Sequence, residues 1–141
     1  MNAAYPRFGD MLNSTGRPML YSCSWPDYLN NHVNFSYVAA NCNMWRMYRD
    51  IYSQWPIIES IIEFYGKQTP MLQPVAGPGN WNDADQLTVG DHHPQGWCHN
   101  SSDPLGGCNG LSPDESESMM AFWAMFASPL LMSNDLRTIQ P

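Results

Sequence analysis

The sequence predicts an α/β fold in which parallel strands alternate with helices. Short apolar runs and segments of helical period take turns along the chain. The runs turn polar only near their C-terminal ends, as strands covered on both faces do. Pro and Gly mark the boundaries, and no internal repeat or low-complexity block interrupts the pattern. Four strands of this kind make a small open sheet or half of a (β/α)8 barrel, because a whole barrel takes about 250 residues and the chain has 141.

The elements follow in order. Residues 1–13 read as a short helix closed by Gly16 and Pro18, and 19–23 as a buried strand bounded by Pro18 and Trp25-Pro26. Residues 35–42 read as a helix. Residues 44–51 alternate enough for a strand with Arg46, Tyr48 and Asp50 on one face. Ser53 is positioned to cap the next helix, Pro56 fits its first turn, and Ile57, Ile58, Ile61, Ile62 and Tyr65 form its apolar stripe up to Gly66. Residues 71–77 read as a strand entering the Gly77-Pro78-Gly79 turn, and 91–111 as a long loop. Ser112, Pro113 and Glu115 form a capping box with Pro at the first helical position. Met119, Met120, Trp123 and Phe126 supply that helix's buried face, Pro129 stops it, and 130–133 read as a last short strand.

Composition excludes several functions. Six Lys and Arg against thirteen Asp and Glu give a net charge of −7, which opposes binding to nucleic acid or to an anionic membrane surface. No apolar run approaches the roughly 20 residues of a membrane span. Hydrophobic residues make up 43%, enough for a core, while charged residues are only 13%. Three Asn-x-Ser/Thr sequons, at Asn13, Asn34 and Asn100, and four cysteines indicate an oxidising compartment. Cys23, Cys42, Cys98 and Cys108 permit three disulfide connectivities. Residues 1–12 lack the pattern of a secretory signal, so the beginning of a secreted-type chain is expected to be missing.

In parallel α/β folds, functional groups gather beyond the C-terminal strand ends. Those positions carry Ser24-Trp25-Pro26-Asp27-Tyr28, then Arg46 and Asp50, then Trp81-Asn82-Asp83-Ala84-Asp85, and finally Ser133-Asn134-Asp135. Aromatic faces stack on sugar rings, and carboxylates and Arg bind hydroxyls. Glycoside hydrolysis needs two carboxyl groups flanking the scissile bond, about 5–5.5 Å apart where configuration is retained.

Longer stretches carry a resemblance. Leu12-Asn13-Ser14-Thr15-Gly16-Arg17-Pro18, Tyr21-Ser22-Cys23-Ser24-Trp25-Pro26, Cys42-Asn43-Met44-Trp45-Arg46 and Asp50-Ile51 stand in this order. Ala76-Gly77-Pro78-Gly79-Asn80-Trp81-Asn82-Asp83 and Ser128-Pro129-Leu130-Leu131-Met132-Ser133-Asn134-Asp135-Leu136-Arg137 follow. Together they resemble the animal lysosomal α-galactosidase and α-N-acetylgalactosaminidase family, glycoside hydrolase family 27. The resemblance implies that residues 1–141 are a partial (β/α)8 barrel domain holding about strands five to eight. It implies a retaining glycosidase acting on terminal α-linked galactose or N-acetylgalactosamine, without a cofactor or metal, lysosomal or secreted, and a homodimer at full length.

By the same resemblance Asp50 is the acid/base carboxylate and Arg46 a sugar-binding arginine. Asp85 binds sugar hydroxyls with Gln86 beside it, and Ser24, Trp25, Asp27 and Tyr28 form the substrate-recognition segment. Cys23 and Cys42 match a disulfide pair, and Asn13, Asn34 and Asn100 are glycosylation sites. The family's nucleophile is an Asp in a Lys-x-Asp-x-Cys context, which these residues do not contain, so the 141-residue chain alone is expected to be inactive. The alternative is a catalytically inactive carbohydrate-binding fragment. Relatives acting on galactosides carry a larger acid where Ser24 stands, and those acting on N-acetylgalactosamine carry Ser. The latter have Ala where this chain has Asp27, and the balance leans to N-acetylgalactosamine. Ala84 and Gln86 stand where relatives have Pro and Met.

Residues 91–109 replace a two-residue connection and bring His92, His93, Cys98, His99, Asn100 and Cys108. Two cysteines and three histidines could ligate zinc, but the spacing fits no familiar finger and a sequon lies inside. A glycosylated loop closed by Cys98–Cys108 is the expectation.

Overall fold

The computed structural model describes residues 3–90, 110–135 and 137. It divides into two compact units, Met1–Tyr48 with Lys67–Ala84, and Arg49–Gly66 with Asp85–Pro141.

The first unit is built on a parallel three-stranded sheet. Its strands, β1 (Ser22–Cys23), β2 (Met44–Arg46) and β3 (Trp81–Asp83), lie in that order. Ser22 pairs with Met44, and Arg46 stands opposite Asp83. The helices α1 (Ala4–Ser14), α2 (Trp25–Tyr28) and α3 (Phe35–Ala39) belong to this unit. Its core gathers Cys23, Trp25, Phe35, Val38, Cys42, Met44, Trp45 and Met47, all buried. Asn34 caps α3, its side-chain oxygen accepting the Tyr37 N–H at 3.2 Å.

The second unit contains the first part of α4 (Trp55–Leu72), whose remainder belongs to the first unit, and all of α5 (Pro113–Met125). Ile57, Ile58, Ile61 and Tyr65 recur at helical spacing on α4 and are buried, as are Leu87, Leu111, Met119 and Trp123. The Tyr65 and Phe126 rings lie 5.5 Å apart. The capping box forms as expected. Ser112 Oγ accepts the Glu115 N–H at 3.3 Å, and the Glu115 carboxylate accepts the Ser112 N–H at 2.7 Å. Such a cap contributes about 1 kcal/mol.

The helix ends against Ala127 at φ 52°. The Ser128 N–H donates to the Trp123 carbonyl and the Ala127 N–H to that of Ala124. This is a Schellman closure with Ala where glycine is usual. Pro129 follows the stop rather than making it.

Several boundaries differ from the sequence reading. Of residues 19–23 only Ser22–Cys23 is strand, and α3 stops at Ala39 rather than at residue 42. The strand predicted over 44–51 ends at Arg46, so Asp50 lies in the following loop and shares no strand face with Arg46. Ser53 is not the cap of α4; its hydroxyl donates to the Thr88 carbonyl, and the Gln54 carbonyl accepts the first helical N–H groups.

Gly66 does not end α4, which runs six residues further and through Pro70. A mid-helix glycine costs only about 0.5–1 kcal/mol, and burial of Leu72 at the far end offsets it. The strand expected over 71–77 is therefore helix and turn. Gly77 and Asn80 exchange both main-chain hydrogen bonds at 2.8 Å. With Pro78 leading and Gly79 at φ 92°, this is a type II pattern that delivers the chain into β3. The last strand, 130–133, reduces to one parallel bridge between Leu87 and Met132.

Candidate functional site

In the first unit β1 leads directly into α2, which holds the predicted recognition segment. Ser24 is the N-cap residue, and its carbonyl accepts the Tyr28 N–H at 3.2 Å. Trp25 points into the core, with 1% exposure. Its ring stacks on Tyr5 at 5.5 Å and 5° and meets the edge of Tyr37. It presents no face to solvent, so here it is a packing residue that anchors α2. Tyr28 is 61% exposed, and Ser24 and Asp27 are half-buried. Burial pushes the Tyr5 phenol above its ordinary value, and the nearby charges of Tyr28, Tyr21 and Asp27 push it the same way. Burial also raises Tyr21. Both phenols stay neutral at physiological pH.

One disulfide brackets α2 and α3. Cys23 and Cys42 are joined across 19 positions, both sulfurs buried. This is the pairing the resemblance implied. The ends of the bracket are also pinned by Asn43, whose Oδ1 accepts the Tyr21 N–H at 2.9 Å.

Arg46, at the end of β2, is half-buried and donates from Nη2 to the Tyr48 carbonyl at 3.2 Å. The register sets it opposite Asp83, a carboxylate only 8% exposed. The carbonyl of Met47 is held by Asn31, whose Nδ2 donates at 3.0 Å. Asn30 and Asn31 take φ values of 49° and 61°, a conformation Asn tolerates better than most residues. Asn31 did not stand out as a site residue in the sequence, where its signal was the Asn30-Asn31 pair. Asp83 stood in the strand-end segment Trp81–Asp85, but its register with Arg46 appears only in the structure.

In the second unit the structure ties the Asp50 segment to Asp85. Asp50 is exposed and lies four residues beyond β2. The next residue, Ile51, donates its main-chain N–H to Asp85 Oδ2 at 2.9 Å. Asp85 Oδ1 accepts the Gln86 N–H at 2.8 Å, and the Asp85 carbonyl accepts the Trp123 indole N–H, also at 2.8 Å. Asp85 has φ 82°, a conformation that costs a non-glycine residue about 1–3 kcal/mol and persists only where the surroundings impose it. The side chain of Gln86 is exposed.

Of the three sequons, Asn13 is exposed in the last turn of α1 and Asn34 is the exposed cap of α3. Asn100, Cys98, Cys108 and the loop histidines lie outside the described residues. Among the described residues no group of three or more potential metal ligands is found, and no helix is long and apolar enough to cross a membrane.

These elements define an α/β chain in which polar and charged side chains stand at the carboxyl ends of parallel strands. A family model described as "Alpha galactosidase A" matches residues 1–141, and the chain belongs to that family. It is 45% identical over 140 residues to the rat alpha-N-acetylgalactosaminidase, covering 97% of this chain and 30% of the relative. It is 37% identical over 139 residues to human alpha-galactosidase A, with 97% and 28% covered. Among solved structures it resembles an α-galactosidase of Saccharomyces cerevisiae at a TM-score of 0.70 and 28% identity, covering 99% of this chain and 30% of that one. A GH27 β-L-arabinopyranosidase of Geobacillus stearothermophilus matches at 0.67 and 26%, with 94% and 28% covered. The chain thus spans under a third of the length of these relatives.

Proposed function

We propose that residues 1–141 supply the acid/base part of a retaining exo-glycosidase acting on terminal α-linked N-acetylgalactosamine or galactose. They form the part of a (β/α)8 barrel that holds strands five to eight. The observation that carries this reading is the anchoring of the peptide after Asp50 to the carboxylate of Asp85. It fixes the main chain of an exposed carboxylate in a loop that follows a parallel strand, and positional precision is what a proton donor needs.

In this mechanism a carboxylate nucleophile from outside these residues attacks the anomeric carbon while Asp50 gives its proton to the departing glycosidic oxygen. Asp50 then takes a proton from water as that water displaces the nucleophile, so two inversions give net retention. Arg46, Asp85 and Tyr28 bind sugar hydroxyls. Gln86 flanks them, and Ser24 and Asp27 select at the 2-substituent. A short Ser24 leaves room for an acetamido group. The higher identity to N-acetylgalactosaminidases than to α-galactosidase A supports the same preference. The protein acts in a lysosomal or secreted setting as a homodimer, with Asn13, Asn34 and Asn100 glycosylated.

The 141 residues alone hold no Lys-x-Asp-x-Cys segment and are inactive by themselves. The test is hydrolysis of the p-nitrophenyl α-N-acetylgalactosaminide and α-galactoside by the protein expressed from its complete natural coding region. Asp50→Asn is expected to lower kcat by about 10²–10⁴-fold, the usual worth of general acid–base catalysis. Hydrolysis of neither sugar, or an Asp50→Asn variant of undiminished activity, overturns the reading.

A further inference from the structure

Trp123 reads in the sequence as one apolar residue on a core stripe, and its burial agrees with that. Packing leaves its hydrogen bond unexplained, because a phenylalanine fills most of the same space without a donor to satisfy. The indole N–H is spent on the carbonyl of Asp85, 38 positions away. Asp85 is the residue held at φ 82°, and its carboxylate reaches back 34 positions to the Ile51 N–H. Trp123 is itself fixed at its main chain, since its carbonyl receives the Ser128 N–H that closes α5.

We propose that Trp123 is a positioning residue for Asp50. Its indole N–H holds Asp85 in the left-handed conformation, and the Asp85 carboxylate thereby holds the amide that follows Asp50. The contacts run from α5 through one constrained residue to the segment carrying the proton donor. Each link is a hydrogen bond of 2.8 or 2.9 Å. Asp85 then does more than bind a hydroxyl. A carboxylate has about four acceptor sites, and two contacts here go to main-chain amides. This inference rests on the acid/base reading of Asp50.

The test uses the protein from its complete coding region and two donor-free replacements of Trp123. One is Trp123→Phe. The other is 3-benzothienylalanine, which keeps the indole shape and puts sulfur in place of N–H. Amide hydrogen exchange at Ile51 is read alongside kcat and KM on the p-nitrophenyl α-N-acetylgalactosaminide. Ile51 is expected to exchange at least about tenfold faster while α5 keeps its protection, with kcat about tenfold lower and KM raised as well, because Asp85 also binds a sugar hydroxyl.

Ile51 exchange within twofold of the parent, or loss of protection spread equally over α5, overturns the positioning role. Where Trp123→Phe fails to fold, the isosteric replacement decides by the same criterion. A parent protein inactive on both sugars whose Ile51 amide still responds overturns the glycosidase reading instead. An active parent with unresponsive Ile51 overturns the positioning step alone.

Discussion

Replacing both cysteines of the Cys23–Cys42 bridge by Ala tests how the recognition segment is held. The bridge spans 19 positions and closes a loop of about 20 residues. The chain-entropy model then gives a loss of about 11 cal/mol/K in the unfolded ensemble, or about 3 kcal/mol at 25 °C. The loop it closes contains α2, with Ser24, Asp27 and Tyr28, and α3. Both sulfurs are buried, so the substitution removes some packing as well and the loss should not fall below this figure. Urea unfolding of the complete protein followed by tryptophan fluorescence measures it. With a urea slope of about 2 kcal/mol/M the midpoint falls by about 1.5 M. A drop worth less than about 1 kcal/mol would mean that Asn43 and the aromatic cluster around Trp25 define the loop without the bridge.

Three further outcomes are expected. Ala127→Gly relieves the left-handed residue that closes α5 and stabilises the protein by about 0.5–1 kcal/mol in the same unfolding assay; a loss contradicts the Schellman assignment. Asn34→Asp keeps the α3 cap and removes the glycan acceptor, whereas Asn34→Ala removes both. On glycosidase-treated and untreated gels both variants lose the same carbohydrate, but only the Ala variant loses about 1 kcal/mol of stability. The Arg137 guanidinium and main-chain N–H hold the Asp135 carboxyl below its ordinary value. A depressed value in the folded state contributes stability above the unfolded pKa, and that contribution is lost as pH falls through the folded one. Arg137→Gln should return the Asp135 midpoint towards the ordinary range in a carboxyl NMR titration. The pair is exposed, so high salt should narrow the difference.

The legible parts of the fold were those written in local chemistry. The capping box at Ser112 and Glu115 marks its helix because the same two side chains satisfy main-chain donors in any context. The Gly77-Pro78-Gly79 turn was legible for a similar reason, since Pro and Gly restrict the backbone locally. What failed was decided at a distance. Gly66 looks like a stop, but tertiary burial of Leu72 carries α4 past it. The strand predicted at 71–77 was displaced to Trp81–Asp83, because pairing with β2 chooses the strand and apolar content does not.

The candidate site divided in the same way. The residue types at Ser24, Arg46, Asp50 and Asp85 were readable from motif and order. Trp25 read in the sequence as part of the recognition segment, but the structure buries its ring and stacks it on Tyr5. The tie from Trp123 through Asp85 to Ile51 joins residues 34 and 38 positions apart, and no local pattern encodes it.

Azide rescue decides whether Asp50 is the acid/base carboxylate of a retaining α-glycosidase. The Asp50→Ala variant of the complete protein is given an aryl α-glycoside whose leaving group needs no proton, so the glycosyl-enzyme forms but its hydrolysis stalls. Azide, which requires no general base, then attacks the anomeric carbon and displaces the enzyme carboxylate. The expected result is faster turnover with azide and a glycosyl azide of retained, α configuration. A β-glycosyl azide would mean that Asp50 is the nucleophile, and no azide product, with turnover as fast as the parent's, would mean that it is neither.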